Sequence, residues 1–334
     1  MILALNCGSS SLKYAAFEGE RRSAGGTVAG IGVPGGHATH GDAVHAALDG
    51  LPPPDAVGHR LVHGGPKLLE PVRIDETVLK LLREAVPFAP LHLPPALSAV
   101  EAVAQRYPRA PQVACFDTSF HRSLPETARR FPLPARIDAL GVRRYGFHGL
   151  SYEWAMSELR LRGRAIIAHL GNGASMCAVK DGVCIDTTMG LTPAGGFMMG
   201  TRSGDLDPGV IVFLQGTMSR EEIGRLVDRE SGLLGVSAMT SDMKTLLASE
   251  DPRAKLAVEM FCYQARKSVG ALAAVLGGLD ALVFTGGIGE HAAEIRDRIC
   301  GGLAHLGRFA VHVIAADEER VIARHVRRLL AHDA

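Results

Sequence analysis

Two arginines, a histidine and an aspartate stand in this chain where anion chemistry could be done. Arg202 lies in DTTMGLTPAGGFMMGTRSGDLDP, Asp186 to Pro208. Its Gly and Thr content and Pro193 break that stretch as a helix or a continuous strand. A loop of this length in a compact chain is functional or disordered, and its apolar content argues against disorder. Arg202 therefore reads as presented to something anionic. The alternative is a buried loop in which Arg202 pairs with Asp205 or Asp207. Arg60, in AVGHRLVHGG, has apolar neighbours, so it points into a cleft or pairs with a buried carboxylate. His148, in RRYGFHGLSY, lies between Phe147 and Gly149. A lone histidine among apolar residues is commonly a satisfied core group, but the flanking glycine favours a loop. Asp117 follows the buried strand Gln112 to Phe116. Ligands of open α/β sheets bind outside such strand ends, which makes Asp117 a candidate metal or nucleophile contact. It serves equally as an N-cap, as Thr118 or Ser119 would.

Three glycine turns suit phosphate. The first is CGSSS, with Asn6 before it and Lys13 after it. Gly8 permits a tight bend, and successive N–H groups and the hydroxyls of Ser9 and Ser11 can face a phosphate or a hydrated metal. The spacing is not that of a P-loop, and a plain polar hairpin turn is the competing reading. The second is GNGAS, between the strands AIIAHL and MCAVKDG. Beside ILALN–CGSSS–LKYAAFEG the layout repeats, a faint internal duplication with one hairpin in each half. Two such turns facing each other across a cleft would hold a nucleotide's phosphates from both sides. The third is ALVFTGGIGEH, a strand, a glycine turn and a helix start, a recurring nucleotide-contact design.

The elements that must position these groups are partly readable. Helices are expected over Ile74 to Val86, Leu97 to Arg106, Pro208 to Gln215, Arg220 to Glu230 and Arg253 to Leu276. On the last, Leu256, Met260, Tyr263, Lys267 and Gly270 form a stripe. PFAPLHLPPA reads as a rigid apolar loop holding His92, while Glu18 to Asp55, rich in Gly, Ala and Pro, carries little information beyond the loop at its closing PPP run. A last strand, Phe309 to Ala316, precedes a C-terminal helix opened by Asp317, Glu318 and Glu319, acids that the helix dipole alone would explain. At 334 residues the chain has room for two domains. A net charge of +1 gives no electrostatic case for nucleic acid or an anionic membrane. Six scattered cysteines, none in C-x-x-C, read as reduced core thiols rather than a disulfide framework or zinc site. No signal peptide is visible, and Val269 to Ile288 splits into a helix end and a strand, so a cytoplasmic protein is expected.

Taken together, NCGSSSLKY, GHRLVHGG, FAPLHLPPA, FDTSFH, RRYGFHGLSY, HLGNGAS, TTMGLTPAGGFMMGTRSGDLDPG, FTGGIGE and ADEERVIAR resemble, in order, the motifs of acetate kinases. The resemblance runs from Asn6 to Arg324, with gaps. It implies an α/β fold of two duplicated actin-like (ribonuclease H-like) domains around a central nucleotide cleft. The acyl and phosphate side would be residues 1–117 with 319–334, and the nucleotide domain 118–318. It further implies Arg60 and Arg202 flanking the carboxylate and the transferring phosphoryl, with His148 stabilising the transition state. Asn6, Asp117 and Glu318 would position Mg²⁺ (or Mn²⁺), supported by Ser9, Ser11 and His92. Val62, Leu91, Phe147 and Pro193 match the pocket for the acyl methyl. Lys13, His169, Gly171, Asn172, Gly173, Asp242, Met243, Lys244, Gly286, Gly287, Ile288, Gly289 and His291 match phosphate or nucleotide positions. The implied partners are ATP or ADP, a short-chain carboxylate and a second copy of the chain.

The chain departs from the pattern in places. It is short for the family, compressed between Lys13 and Arg60 and between Glu290 and Ile314. Pro66, Gly195 and His291 stand where the family commonly has Glu, Glu and Asn. Met243 and Lys244 replace a Phe–Arg pair, which bears on nucleotide preference. The chemistry fits the implied roles. A carboxylic acid with a pKa of about 4.3 is already ionised at neutral pH, so its attack needs no general base. The difficulty is bringing an anion to a polyanion, and cations answer it. Competing readings are a propionate or butyrate kinase, a sugar or polyol kinase using Asp117 as base, and a nucleotide-gated ATPase with no acid substrate.

Overall fold

A computed structural model of the chain describes residues 1–8 and 11–331. The chain divides into two compact units, Met1–Arg122 with Asp317–Ala334, and Ser123–Ala316. Ser9 lies outside the described residues.

The first unit is built on β1 (Ile2–Cys7), β2 (Ser11–Glu18), β3 (Arg21–Ala29), α1 (His40–Leu48), β4 (Ala56–Leu61), β5 (Val72–Arg73), α2 (Glu76–Glu84), α3 (Leu93–Arg106) and β6 (Gln112–Phe116). Its sheet runs β3-β2-β1-β4-β6-β5. β1 to β3 form an antiparallel meander, and β4 and β6 add to β1 in parallel. β1 and β6 are continuous apolar runs because both faces are covered.

The second unit begins with the short α4 (Glu126–Arg129) and α5 (Ala135–Asp138), then α6 (Gly149–Leu159), β7 (Arg164–Leu170), β8 (Ala174–Lys180) and β9 (Val183–Thr187). It continues with α7 (Pro208–Leu214), α8 (Arg220–Arg225), α9 (Gly232–Ser237), α10 (Met243–Leu247) and α11 (Pro252–Leu276). It closes with β10 (Ala281–Thr285), α12 (Gly286–His291), α13 (Ala293–Cys300) and β11 (Ala310–Val313). Its sheet order is β11-β10-β7-β8-β9. β7 to β9 form the meander, with β10 and β11 parallel to β7. The same connectivity in both units is the duplication that the paired hairpins led us to expect. The chain then returns to the first unit as α14 (Glu318–Ala331). That helix packs against β1 and β4. A methyl on Gly58 would stand 2.3 Å from Ile322, so the missing side chain there is what lets α14 lie on the strand.

Several sequence expectations are corrected. The region 18–55, on which the sequence carried little, holds β3 and α1. β3 is a polar edge strand with no alternating apolar face, and α1 is announced mainly by the Thr39–Asp42 capping box. α3 begins at Leu93, with Pro94 and Pro95 in its first turn, where no backbone N–H is required. The helix expected over Arg220 to Glu230 gives way after Arg225 to a π-type turn. The buried face of α11 is Ala254, Ala257, Val258, Phe261, Ala265, Val269 and Leu272, whereas Leu256 and Tyr263 are exposed. Its small residues let the helix approach β8 closely, so the bulky residues of the expected stripe turn outward. Among the described residues no helix is long and apolar enough to cross a membrane.

Candidate active site

In the first unit Asn6, Arg60 and Asp117 come from the carboxyl ends of three neighbouring parallel strands. Asn6 and Arg60 are register partners on β1 and β4, and Asp117 follows β6 directly. The Arg60 guanidinium grips Asp117 through Nε, 3.0 and 3.1 Å from the two carboxylate oxygens, and through Nη2 at 2.6 Å. Its Nη1 donates to Asn6 Oδ1 at 3.1 Å, and Glu318 Oε2 lies 3.9 Å from Nε. Burial works against the Arg60 charge, but Asp117 and Glu318 outweigh it and hold the guanidinium above its ordinary pKa. Arg60 is therefore a permanent cation, pairing as the apolar context of β4 allowed.

The acids at the start of α14 divide their work. Asp317 accepts from the Arg320 amide and so caps the helix. Asn6 Nδ2 donates to Glu318 at 2.8 Å and to Glu319 at 3.1 Å. Glu319, which the sequence argument passed over, also faces Arg22 at 3.5 Å. Lys13 lies opposite Asn6 on β2 and is exposed. Gly8 N donates to Ser11 O at 2.8 Å, and Cys7 and Leu12 are register partners of the antiparallel pair β1 and β2. Val62 is buried, Leu91 exposed and His92 half-buried at the start of α3.

In the second unit the groups converge on Gly173. A methyl placed there would lie 3.1 Å from Arg202 Nη1 and 3.2 Å from His148 Nε2, so glycine keeps the space between them open. His148 has φ 58°, a left-handed conformation costly for a side-chain-bearing residue, and it sits between Phe147 and the first residue of α6. Its ring stacks on that of His169, centroids 4.3 Å apart and planes 17° apart. His148 Nδ1 lies 2.8 Å from Ser175 Oγ, which also bonds the Tyr152 hydroxyl, and His169 Nδ1 lies 2.9 Å from Ser151 Oγ. Ser151, Tyr152 and Ser175 are fully buried. Ser151 and Tyr152 belong to the motif that carries His148, and Ser175 to GNGAS. Only the fold discloses that they meet.

The loop at 188–207 is packed rather than loose, with Met189, Phe197, Met198 and Met199 in the core. Arg202 Nη1 donates to the carbonyl of the buried Pro193 at 3.2 Å. Asp205 accepts from Gly196 N at 2.8 Å, and Asp207 caps α7 through Gly209 N. Both carboxylates thus shape the loop backbone.

Beside these groups a cavity of about 1020 Å³ is lined by Gly171, Asn172, Asp242, Met243, Lys244, Gly287, Ile288 and His291. Asp242 accepts from Thr245 N at 2.9 Å and from Thr245 Oγ1 at 2.6 Å, bonds that hold its carboxyl below the usual range and fix the start of α10. Gly286 and Gly289 stand behind the wall. A methyl on Gly286 would lie 3.1 Å from His169 Nε2, and Gly289 packs against Phe284.

A cation could be held only through part of its shell. Among the described residues no three His, Cys, Asp or Glu gather as a metal cage. Asn6, Asp117 and Glu318 carry the hard oxygens that suit Mg²⁺, an ion that keeps several waters and takes one or two carboxylates, but here Arg60 already engages both Asp117 oxygens and Asn6 Oδ1.

The acetokinase family model matches residues 43–328. The acetate kinase of Rhodopseudomonas palustris is 44% identical over 391 aligned positions, with 98% of this chain and 98% of that protein covered. The alignment is longer than the chain, so gaps fall on this chain's side. The crystal structure of Porphyromonas gingivalis acetate kinase matches with a TM-score of 0.88 at 37% identity, covering 98% of this chain and 99% of that one. A propionate kinase from Francisella tularensis matches with a TM-score of 0.90 at 35% identity, covering 97% and 98%.

Proposed function

The chain belongs to the acetokinase family, and from that membership we propose how its two residue sets divide one reaction. The activity is transfer of a phosphoryl group from ATP to acetate, giving acetyl phosphate and ADP. Asn172, Asp242, Met243, Lys244, Gly287, Ile288 and His291 receive the nucleotide. Their cavity has the volume and apolar lining for a purine and ribose. His169, Gly171 and Gly173 border the phosphates. Val62 and Leu91 of the first unit, and Phe147 and Pro193 of the second, are the residues proposed for the acyl methyl. Ser11, His92 and Lys13 support the phosphate side.

The observation that carries this reading is the pair of nitrogens, Arg202 Nη1 and His148 Nε2, at Gly173. Arg202 Nη1 and His148 Nε2 flank one open space, where a trigonal phosphoryl with charge on its equatorial oxygens would be stabilised. The acid arrives ionised and attacks in line, so no base is required. Asp117 is a poor base in any case, because Arg60 donates three hydrogen bonds to it. That speaks against a polyol acceptor. Asn6, Asp117 and Glu318 would hold Mg²⁺, which would supply charge neutralisation on the phosphate oxygens.

The test is ADP production from MgATP with acetate, propionate, butyrate, glycerol or no acceptor, each with an EDTA control. Turnover is expected only with a short acid, and EDTA is expected to abolish it. The acid with the highest kcat/KM decides between acetate and the propionate that the Francisella tularensis protein's name specifies. Turnover with glycerol alone, or equal turnover with no acceptor, would defeat the assignment.

A homodimer completes the reading. α7 presents Val212 and Phe213 at 69% and 78% exposure, with Leu206 and Val210 beside them. Apolar side chains clustered this way on one short helix mark an association face. Phe213→Glu is therefore expected to convert a dimer to a monomer in sedimentation velocity, since burying one Phe contributes about 1.5–3 kcal/mol. A wild-type monomer, or an unshifted variant, would remove the assignment. Cell fractionation tests the cytoplasmic location.

A further inference from the structure

We propose that Tyr152 and Ser175 are positioning residues that set the tautomer of His148, so that its Nε2 carries the proton and faces the phosphoryl as a donor. The proposal rests on the reading of His148 given above. Three side chains form one chain of hydrogen bonds: the Tyr152 hydroxyl, Ser175 Oγ and His148 Nδ1. They come from α6, β8 and the residue before α6; Tyr152 and Ser175 are fully buried and His148 is 9% exposed.

The direction of the chain follows from acidity. A phenol is a far stronger hydrogen-bond donor than an aliphatic alcohol, so Tyr152 donates to Ser175 Oγ. Ser175 has one hydrogen, and the imidazole nitrogen is the strongest base within reach. It therefore donates to Nδ1, and each bond polarises the next. Nδ1 as acceptor leaves the single ring proton of a neutral imidazole on Nε2.

The far side of the ring requires the same answer. Nε2 borders the space at Gly173 opposite Arg202 Nη1. An Nε2 lone pair there would confront an anion, whereas an Nε2–H would join the guanidinium in binding it. His169 repeats the device one ring away, its Nδ1 held by the buried Ser151. Two parallel rings with centroids 4.3 Å apart resist carrying two charges at once. The left-handed backbone at His148 then has a purpose: it turns the ring so that one nitrogen meets the core serine and the other meets the substrate.

The experiment is ¹⁵N NMR of histidine-labelled full-length protein, with the His148 signals identified by their loss in His148→Gln. The wild type is expected to show Nδ1 as an unprotonated acceptor and Nε2 protonated. Ser175→Ala is expected to mix the two tautomers and to lower kcat about tenfold or more, a fraction of what losing a whole donor costs. KM for acetate and ATP should stay within about twofold, and Ser175→Thr, which keeps the hydroxyl, should restore both signals and kcat. Tyr152→Phe removes one oxygen from an otherwise unchanged ring and carries the test if Ser175→Ala fails to fold. A protonated Nδ1 in the wild type, or an unchanged tautomer in both variants, overturns the proposal. A changed tautomer with unchanged kcat would overturn the catalytic assignment of His148 and leave its positioning by Ser175 standing.

Discussion

Arg202→Ala is expected to lower kcat by about two to three orders of magnitude, the effect of removing one preorganised donor worth roughly 2.7–4 kcal/mol. The loss should fall on the chemistry rather than on the fold. The backbone around Arg202 is tied down without its side chain: Met199 N donates to Arg202 O at 3.0 Å, Ser203 N to Val227 O at 3.0 Å, and Leu233 N to Met199 O at 2.8 Å. Asp205 holds Gly196, and Met199 is in the core. What the substitution removes is the guanidinium beside Gly173. Arg202→Lys restores a point charge but not the planar fork, so it should recover only part of the loss. Steady-state rates with acetate and ATP, read beside a thermal melt, make the check. A fall under fivefold with a normal melt would remove Arg202 from its role.

The long loop that carries Arg202 was readable because glycine, threonine and Pro193 break helix and strand patterns over more residues than a connector needs. The duplication was readable because strand, glycine turn and strand recur at nearly equal lengths, and both sheets indeed open with that hairpin. Arg60 was readable as a charge in need of a partner, since a lone cation between apolar strand residues must find one. That the partner is Asp117, read in the sequence as a strand-end ligand contact or an N-cap, only the fold discloses.

What stayed hidden has a physical cause in each case. β3 buries little apolar surface, so alternation had nothing to report there, whereas α1 does bury Ala43, Val44, Ala47 and Leu48 at helical spacing, a pattern too short to stand out among the surrounding glycines and prolines. α3 begins under two prolines, which usually punctuate loops but are tolerated in a first helical turn. On α11 two stripes compete: alanines interleaved with Val258, Phe261, Val269 and Leu272 form the buried face, while Leu256 and Tyr263 of the expected stripe are exposed. Ser175 and His148 are 27 positions apart and meet only when α6 packs on β7 and β8. A serine in a polar turn carries no mark of a buried partner. Residue type and local spacing disclose chemistry held on one element, and the supporting contacts are tertiary.

Asp117→Ala is expected to be the most damaging single change to stability, and it separates architecture from catalysis. The Asp117 side chain is 1% exposed and that of Arg60 17%. Removing the carboxylate leaves a largely buried guanidinium with Asn6 Oδ1 at 3.1 Å and Glu318 at 3.9 Å. Breaking a buried pair from one side costs about 3–5 kcal/mol, because the remaining charge loses its compensation. Denaturant unfolding should show a loss of that order, and kcat should fall with it. Asp117→Asn keeps the shape and one acceptor, so its loss should be smaller. The double variant Asp117→Ala with Arg60→Met removes both charges. Replacing a buried ion pair by apolar groups is often neutral, so the double variant should regain much of the stability that Asp117→Ala loses. Its kcat should nevertheless stay about two to three orders of magnitude down under the proposed role of Arg60, since one preorganised cation is lost. A double variant as unstable as the single one would mean that the pair is packed too tightly to replace. A stable double variant with near-normal kcat would mean that Arg60 and Asp117 serve the fold alone. A stable, inactive double variant is the outcome that places the pair in the reaction, with the fold a separate beneficiary.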